Sequence, residues 1–259
     1  MIQQQFATKA IEVLKKNKEV LGVAAGGSWI TGELDEFSDV DLVIVTKNKN
    51  TQNPENMKAI ANSIPNYISG FTGEHVGEPR LLICLYRNPI LHVDFKFVTL
   101  EEFGDRIETP VLLHDPEGML QKRLDETTGV FPYPDYQWIE DRFWIWVHYT
   151  LLKIGRGELM EAFDFFGFLR MVVIGSMIQI KNGNLPKGVR KVETNLSSVD
   201  YEKLKQTLPQ YDRDNLLDTL LRTVTLYKEL RQELFTDKVQ LQTATEEAVM
   251  EYYYRQVSK

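Results

Sequence analysis

A short apolar run that ends at two glycines is the sequence feature that most restricts the fold. Val20–Ala25 is apolar and stops at Gly26-Gly27, which predicts a buried strand entering a tight turn. Glycine adopts backbone angles that other residues avoid and lets a phosphate approach the chain closely. Ser28 follows, so its hydroxyl and the amides at the start of a short helix point the same way, as donors to an anion. The segment therefore predicts a phosphate-binding turn.

Two aspartates begin the next apolar run. Asp39 and Asp41 precede the apolar residues 42–45, and side chains two positions apart on a strand project from the same face. Paired carboxylates beside a phosphate-binding turn repel one another and the phosphate unless a cation lies between them. Mg²⁺ fits this place, because it takes oxygen ligands and bridges carboxylates to substrate phosphates. Two such ions would hold the attacking and leaving oxygens of an in-line displacement.

A third acid lies in the alternating segment 91–97. Its apolar residues share one face, whereas His92, Asp94 and Lys96 share the other. An aspartate in so apolar a strand is costly unless it is paired or binds a metal. If this strand neighbours the strand of Asp41, Asp94 completes a set of three carboxylates. It is then either a metal ligand or the general base that takes the proton of an acceptor hydroxyl.

The rest of the first half mixes helix and strand patterns. We predict an opening helix that ends near residue 17, a helix after Pro54, and strands over residues 80–86, 90–97 and 111–114. Thr99 and Glu102 have the spacing of a capping box, which predicts a short helix. Elements mixed in this way indicate a small mixed sheet covered by helices.

After residue 131 the strand patterns nearly disappear. Long helices are predicted over residues 138–154, 158–180, 216–235 and 243–256. The predicted fold class is therefore α+β: a small mixed sheet with helices over residues 1–130, followed by an α-helical bundle domain over residues 131–259.

The aromatic residues of the second half are open to two interpretations. We expect Trp138, Trp144 and Trp146 to be core residues rather than surfaces on which an acceptor stacks. The neighbouring acids Glu140 and Asp141 fit the solvated start of a helix and, equally, an acidic patch that attracts a cationic acceptor.

Composition excludes several classes of protein. The net charge of −7 argues against a general nucleic-acid binder, which needs a basic surface, but a single nucleotide is still compatible with it. Cys84 is the only cysteine, so a disulfide framework and a cysteine-based zinc site are excluded. We expect neither a signal peptide nor an apolar run of the roughly 20 residues that span a bilayer. The expected location is the cytoplasm.

The first half of the chain resembles the nucleotidyltransferase superfamily of the DNA polymerase beta type. The signature of that superfamily stands here as Gly27-Ser28, a short variable segment and Asp39-Val40-Asp41, with Asp94 in the place of the third carboxylate. The resemblance implies the nucleotidyltransferase fold. It implies that Gly27 and Ser28 contact the β- and γ-phosphates of a nucleoside triphosphate, and that the aspartates bind two Mg²⁺ ions. The implied reaction is transfer of a nucleoside monophosphate, AMP from ATP, to a hydroxyl with release of pyrophosphate.

The helical half is similar to the aminoglycoside and lincosamide nucleotidyltransferases at residues 153–162, as is the segment 112–118. In those enzymes the helical domain forms one wall of the cleft and helps to hold the acceptor. The resemblance implies that Lys153 or Arg156 neutralises triphosphate charge, and that Glu158 pairs with an acceptor amine or serves as a base. A solvated helix end explains the same three residues. The implied acceptor is a small-molecule antibiotic of aminoglycoside or lincosamide type.

Two other functions stay open. One is a nucleotidyltransferase of toxin–antitoxin type that modifies a protein or an RNA, which a long basic stripe would favour; the sequence shows none. The other is a nucleotide-binding module that has lost catalysis. The presence of Ser28 together with Asp39, Asp41 and Asp94 argues against it, since a degenerate site usually loses an acid first.

Overall fold

The computed structural model describes residues 1–258. The chain divides into two compact units, Met1–Phe131 and Pro132–Lys259, and each has a hydrophobic core of its own.

The first unit contains a mixed sheet in the order β3-β4-β5-β2-β1-β6. β2 and β5 are parallel, and the other neighbouring strands are antiparallel. The strands are β1 (Val20–Ala25), β2 (Val40–Thr46), β3 (Tyr67–Gly73), β4 (Glu78–Tyr86), β5 (Leu91–Thr99) and β6 (Val111–His114), and the helices are α1 (Ile2–Leu14), α2 (Ser28–Thr31), α3 (Pro54–Ser63) and α4 (Met119–Glu126). This arrangement, with a helical second unit, confirms the predicted α+β class.

Helices α1 and α3 pack on one face of the sheet. Ala7 and Leu14 of α1 and Met57 of α3 belong to the same buried cluster as Leu42 of β2 and Phe95 of β5. Residues of β4 and β5 that point to the opposite face are half-buried or exposed, in strict alternation along most of each strand. One face of the sheet is therefore apolar and covered by α1 and α3. The other face carries Asp94, and α4 covers a smaller buried cluster on it that includes Ala24, Val45 and Val98.

The sequence predicted most of these elements but missed β3 and α4. The edge strand β3 contains Gly70 and Gly73, which are poor strand formers. Gly70 is needed there because a Cβ at this position would lie 3.0 Å from both Cys84 Sγ and the Ile83 carbonyl oxygen. Close packing against the next strand, which a local pattern does not reveal, therefore explains the glycine.

The predicted capping box is confirmed. The Thr99 N–H donates to Glu102 Oε2 at 2.9 Å, and the Glu102 N–H donates to Thr99 Oγ1 at 3.3 Å. The helix that it starts is a single 3₁₀ turn, Glu102–Gly104.

The second unit is helical. It contains α5 (Tyr136–Gly155), α6 (Leu159–Leu169), a π-helical turn (Arg170–Ile174), α7 (Gly175–Lys181), α8 (Val192–Asn195), α9 (Ser198–Lys205), α10 (Arg213–Leu234) and α11 (Thr243–Val257). The predicted helix over residues 158–180 is continuous from α6 to α7, with the π-helical turn in its middle. Gly175 follows that turn because a Cβ there would lie 2.7 Å from the Gly188 carbonyl carbon.

The continuous helix Leu159–Lys181 is long and apolar enough, by length and composition, to cross a membrane, with a mean hydropathy of 1.5. The expectation that no apolar run approaches that length was therefore wrong. In this structure 44% of the most apolar window is buried, and Phe166, Val173 and Met177 belong to the core of the helical unit. A helix that passes through the core of a helical bundle has the same composition.

The three tryptophans of α5 differ in burial. Trp144 is fully buried, as predicted, and Trp146 is half-buried. Trp138 is 41% exposed, with Arg142 over its ring at 4.4 Å. The prediction of a core residue is therefore wrong for Trp138, because the first turn of α5 places this side chain at the surface.

Glu140 is fully buried, so both interpretations of it as a solvated or exposed acid are wrong. Its carboxylate accepts hydrogen bonds from the Tyr227 hydroxyl at 2.5 Å, from Arg231 Nη1 at 3.2 Å and from the Gln242 N–H at 2.9 Å. Trp144 Nε1 donates to it at 3.3 Å. The buried carboxylate of Glu140 therefore has hydrogen-bond partners for both oxygens, and these bonds connect α5 to α10 and to the segment before α11.

Removing this carboxylate is expected to destabilise the helical unit. Glu140→Ala leaves the buried charge of Arg231 without one of its partners, which costs about 3 to 5 kcal/mol in the free energy of unfolding. Urea unfolding followed by circular dichroism measures this change. Asp218→Ala, which breaks the exposed pair with Arg222 on α10, is the control and should cost less than about 1 kcal/mol. Equal effects of the two substitutions would contradict the assigned role of Glu140.

Candidate functional site

The turn after β1 is built around a close contact between Gly27 and Asp41. The Gly26 N–H donates to the Asp41 carbonyl oxygen at 3.0 Å, which aligns the turn with β2. Gly27 has φ +56°, and a Cβ there would lie 2.0 Å from Asp41 Oδ2. The Asp41 carboxylate therefore lies directly against the backbone of Gly27, and only glycine allows both the backbone angle and the contact.

Ser28 is the first residue of the short helix α2. The N–H groups of Trp29 and Ile30 donate to the carbonyl oxygens of Gly26 and Gly27 at 3.2 and 3.1 Å, so they close the turn. The first N–H of a helix has no acceptor within the helix. The Ser28 N–H and hydroxyl thus stand at the start of α2, next to the Asp41 carboxylate.

The condition on which the role of Asp94 depends, that the two aspartate strands are neighbours, is met in the structure. β2 and β5 pair in parallel, and Asp41 is in register with Asp94. Neighbouring strands lie about 4.8 Å apart, so these two carboxylates share one face of the sheet. Asp39 lies immediately before β2, and its charge raises the pKa of Asp94. The structure therefore brings the three predicted acids to one place.

Asp94 is held in an unfavourable environment for a charge. Burial raises its pKa, and the charge of Asp39 raises it further, while His92 opposes both effects. His92 Nε2 lies 2.9 Å from Asp94 Oδ1. A carboxylate under burial and like-charge repulsion is stabilised by a cation or by a proton.

A residue that sequence reasoning missed fixes the segment before Asp39. Gln3 of α1 is buried, and its side-chain amide donates to the carbonyl oxygens of Asp35 and Ser38 at 2.7 and 2.8 Å. The α2–β2 connection is thus tied to α1. Nothing in the local sequence around Gln3 indicates this contact, because its partners lie more than 30 residues away.

A row of ion pairs follows Asp94 along the same face of the sheet. Lys96 Nζ lies 3.0 Å from Glu78 Oε2, and Arg80 makes a two-pronged pair with Glu78. The Arg80 guanidinium, with Lys96, lowers the pKa of Glu78 to about 2 despite partial burial. Glu78 therefore stays ionised and keeps Lys96 in place beside the acids.

The predicted residues of the helical unit contact one another. Lys153 Nζ lies 2.8 Å from Glu158 and 3.0 Å from Glu161, and Arg156 lies 3.7 Å from Glu158. The hydrogen bonds that Lys153 donates to Glu158 and Glu161 raise the pKa of Lys153. These residues form an ion-pair cluster where α5 ends and α6 begins, as the helix-end interpretation requires. The ligand-binding roles of Lys153, Arg156 and Glu158 stay predictions.

The donor set of the three acids fits a hard cation. Asp39, Asp41 and Asp94 offer only carboxylate oxygens, which is the chemistry that Mg²⁺ prefers, and Asp41 is placed by the absence of a side chain at Gly27. Among residues 1–258, no three His, Cys, Asp or Glu side chains are already arranged to hold an ion. Binding of a cation would therefore require the carboxylates to rotate toward it.

Comparison with known proteins identifies the same segment. Residues 7–109 match the model of a family described as a nucleotidyltransferase domain, and this segment holds the Gly27-Ser28 turn and all three acids. No curated protein sequence matches the chain.

Two solved structures are similar over nearly the whole chain. One is an aminoglycoside 6-adenyltransferase from Bacillus subtilis, with 15% identity, a TM-score of 0.41 and coverage of 99% of both chains. The other is a nucleotidyltransferase-like protein from Exiguobacterium sibiricum 255-15, with 12% identity and a TM-score of 0.36, covering 98% of this chain and 91% of that chain. At these values neither likeness says which substrate this chain uses.

The contact between Gly27 and Asp41 predicts unequal effects of two alanine substitutions. Gly32→Ala meets no heavy atom within 4 Å, so only the left-handed backbone opposes it, at about 1 to 2 kcal/mol. Gly27→Ala is opposed more strongly, because φ 56° with ψ −133° lies outside the left-handed helical region, and its Cβ also collides with the Asp41 carboxylate, which adds about 1 to 3 kcal/mol. Thermal unfolding of both variants measures the difference. A Gly27→Ala protein as stable as Gly32→Ala would show that Asp41 is not packed against the turn.

The raised pKa of Asp94 predicts that this residue destabilises the metal-free protein at neutral pH. Folding favours the protonated acid, so the penalty is absent below the unfolded-state pKa and complete above the folded-state pKa. Asp94→Asn is therefore expected to raise the melting temperature at about pH 7 but not at about pH 3. Thermal unfolding in EDTA tests this, and a lower melting temperature of the variant at neutral pH would contradict it.

Proposed function

We propose that the chain, whose residues 7–109 match a nucleotidyltransferase domain, is a nucleotidyltransferase that transfers AMP from ATP to a hydroxyl of a small-molecule acceptor in a reaction that depends on Mg²⁺. The observation that carries the proposal is the register of Asp41 with Asp94, beside the Gly27-Ser28 turn. An anion-binding turn and paired acids on adjacent strands suit phosphoryl chemistry, in which positioning and charge stabilisation do most of the work.

The turn is the proposed site of the triphosphate tail. The Ser28 hydroxyl and N–H, at the start of α2, would donate to its oxygens, and Gly27 leaves room for the Asp41 carboxylate beside them. These donors face the β- and γ-phosphates, which leave together as pyrophosphate. The turn therefore holds the leaving group.

The three acids are the proposed catalytic centre. Asp39, Asp41 and Asp94 would hold Mg²⁺, which when bound supplies positive charge to the phosphate oxygens and to the leaving group. Asp94 is either a ligand of the metal or the general base that takes the proton of the acceptor hydroxyl, and its register with Asp41 is compatible with both roles. His92 positions Asp94 through Oδ1.

The acceptor class rests on sequence motifs. The segments 112–118 and 153–162 resemble the aminoglycoside and lincosamide nucleotidyltransferases, which supports an antibiotic acceptor and a role for the helical unit in binding it. Lys153 and Arg156 are the proposed triphosphate contacts of that unit, and Glu158 is its proposed acceptor contact. The cytoplasmic location and the absence of a nucleic-acid partner stay predictions.

The proposal is tested by incubating the protein with Mg²⁺, each labelled nucleoside triphosphate in turn and a panel of kanamycin, streptomycin and lincomycin. Pyrophosphate release that depends on both ATP and an acceptor is the expected result. Asp39→Asn and Asp41→Asn each remove a charge from the centre and should lower kcat by about a thousandfold.

Asp125→Asn, on the exposed face of α4, is the matched control and should keep full activity. Tight ATP binding without transfer to any acceptor would favour a nucleotide-binding module, and labelling of a protein or an RNA would favour the macromolecular acceptor. Full activity of both centre variants would show that the catalytic centre is elsewhere.

A further inference from the structure

A single polar residue begins the buried face of α1. The buried residues of this helix are Gln3, Ala7, Ala10 and Leu14, which have the spacing of one helix face. The last three belong to the hydrophobic core of the first unit. Gln3 is as buried as they are, with 1% of its surface exposed, although glutamine is mostly an exposed residue. Its amide is therefore the exception on an otherwise apolar face.

The amide of Gln3 acts only as a donor. Nε2 donates to the carbonyl oxygens of Asp35 and Ser38 at 2.7 and 2.8 Å, and these oxygens can only accept, so they fix the orientation of the amide. Among residues 1–258, no group donates to the buried Gln3 Oε1. An unsatisfied buried acceptor lowers stability, and an apolar side chain of the same length would avoid that cost. The two donated bonds are therefore what the amide contributes.

The turn that Gln3 holds is closed by its own hydrogen bonds. The Asp35 N–H donates to Ser38 Oγ at 3.0 Å, and Ser38 Oγ donates to Asp35 Oδ1 at 2.8 Å. The Phe37 N–H also donates to Asp35 Oδ1, at 3.0 Å. Because these bonds lie within the turn, they fix its shape but not its position. The two bonds from Gln3 attach the turn to α1, which is packed in the core.

The turn leads directly into Asp39. The Ser38 carbonyl and the Asp39 N–H belong to one planar peptide, so the bond from Gln3 to the Ser38 oxygen also orients the backbone at Asp39. On the other side, Val40 begins β2, is fully buried and is in register with Val93 of β5. The backbone of Asp39 is thus held on both sides, and its carboxylate turns toward a cation by side-chain rotation.

Asp39 depends on this support more than the other two acids do. Asp41 and Asp94 lie within paired strands, whose hydrogen bonds fix their backbones. Asp39 lies before β2, where the bonds from Gln3 take the place of a strand partner. A ligand whose backbone is already fixed loses less freedom when it binds an ion, so it binds the ion more tightly.

We propose that Gln3 is a positioning residue for the cation site: its amide holds the peptide before Asp39 in place and thereby raises the affinity of the three acids for a divalent cation. This inference rests on the proposed function and adds to it a residue outside the acids and the Gly27-Ser28 turn. Gln3 acts through Asp39 and takes no part in the transfer itself.

The test measures binding of Mn²⁺, which shares the oxygen-ligand preference of Mg²⁺, to the full chain through the electron paramagnetic resonance signal of the free ion. Gln3→Met keeps the length of the side chain and removes both donors. Its dissociation constant for Mn²⁺ is expected to be about tenfold higher than that of the wild-type protein, as when a residue that orients a metal ligand is lost. Asp39→Asn, which removes the charge of the ligand itself, should weaken binding at least as much.

Transfer kinetics give a second readout. In Gln3→Met, the Mg²⁺ concentration for half-maximal pyrophosphate release should rise about tenfold, and a high Mg²⁺ concentration should restore the rate. The KM for ATP at saturating Mg²⁺ should stay within about twofold, because the Gly27-Ser28 turn is aligned by the separate bond between Gly26 and Asp41. A smaller folded fraction alone would lower the rate at every Mg²⁺ concentration.

Gln179→Met is the matched control. Gln179 of α7, in the helical unit, is also 1% exposed, and its Nε2 donates to the Arg190 carbonyl oxygen at 2.8 Å. Its Oε1 is buried and has no partner among residues 1–258, as in Gln3. The variant therefore loses the same chemistry at a position outside the cation site. It should lower the melting temperature but keep the wild-type affinity for Mn²⁺.

Ser38→Ala is a second variant for the case in which circular dichroism shows that Gln3→Met does not fold. It removes the Ser38 hydroxyl that closes the turn before Asp39, without changing a charge or a residue of the core. This variant should also weaken Mn²⁺ binding.

The outcomes separate the two proposals. Wild-type affinity for Mn²⁺ in folded Gln3→Met, or an equal loss in Gln179→Met, overturns the positioning role and leaves the nucleotidyl transfer intact. If Gln3→Met does not fold, unchanged affinity of Ser38→Ala overturns it. Weakened Mn²⁺ binding by Gln3→Met, with no pyrophosphate release by the wild-type protein with any acceptor, supports the positioning role and overturns the proposed function. A wild-type protein that binds no Mn²⁺ overturns both.

Discussion

The contact between the Asp41 carboxylate and the backbone of Gly27 is the constraint on which the rest of the site depends. It joins the end of β1 to the start of β2 without an intervening side chain, so the Gly26-Gly27-Ser28 turn and the Asp41 carboxylate lie within contact distance. Any larger residue at position 27 would displace either the turn or the Asp41 carboxylate. The positive φ of Gly27 and the pairing of Gly26 with Asp41 serve the same end, because both set the direction in which α2 begins.

Such a site is unfavourable for stability, and the opposite face of the sheet offsets the cost. Asp94 is partly desolvated and repelled by Asp39, yet its strand neighbours Val93 and Phe95 are fully buried under α1 and α3. Burying one such apolar side chain contributes about 1.5 to 3 kcal/mol. Because side chains alternate along β5, one face of the strand is buried in the core and stabilises the fold, while the other face carries a partly desolvated carboxylate. Functional residues commonly reduce stability in this way.

The sequence predicted the site better than it predicted the contacts between distant elements. The Gly-Ser turn and the Asp39/Asp41 spacing are local, so their geometry follows from residue type and period. Asp41 and Asp94 lie side by side only because β2 and β5 are neighbours in the sheet. No local sequence pattern indicates which strands are neighbours, so the sequence could give this arrangement only as a possibility. Glu140 was misread for the same reason: its first helical turn looks solvated, but Tyr227 and Arg231, which bury it, lie 87 and 91 residues away. Likewise β3 was missed because its glycines are required by close packing against β4, which the local sequence does not reveal.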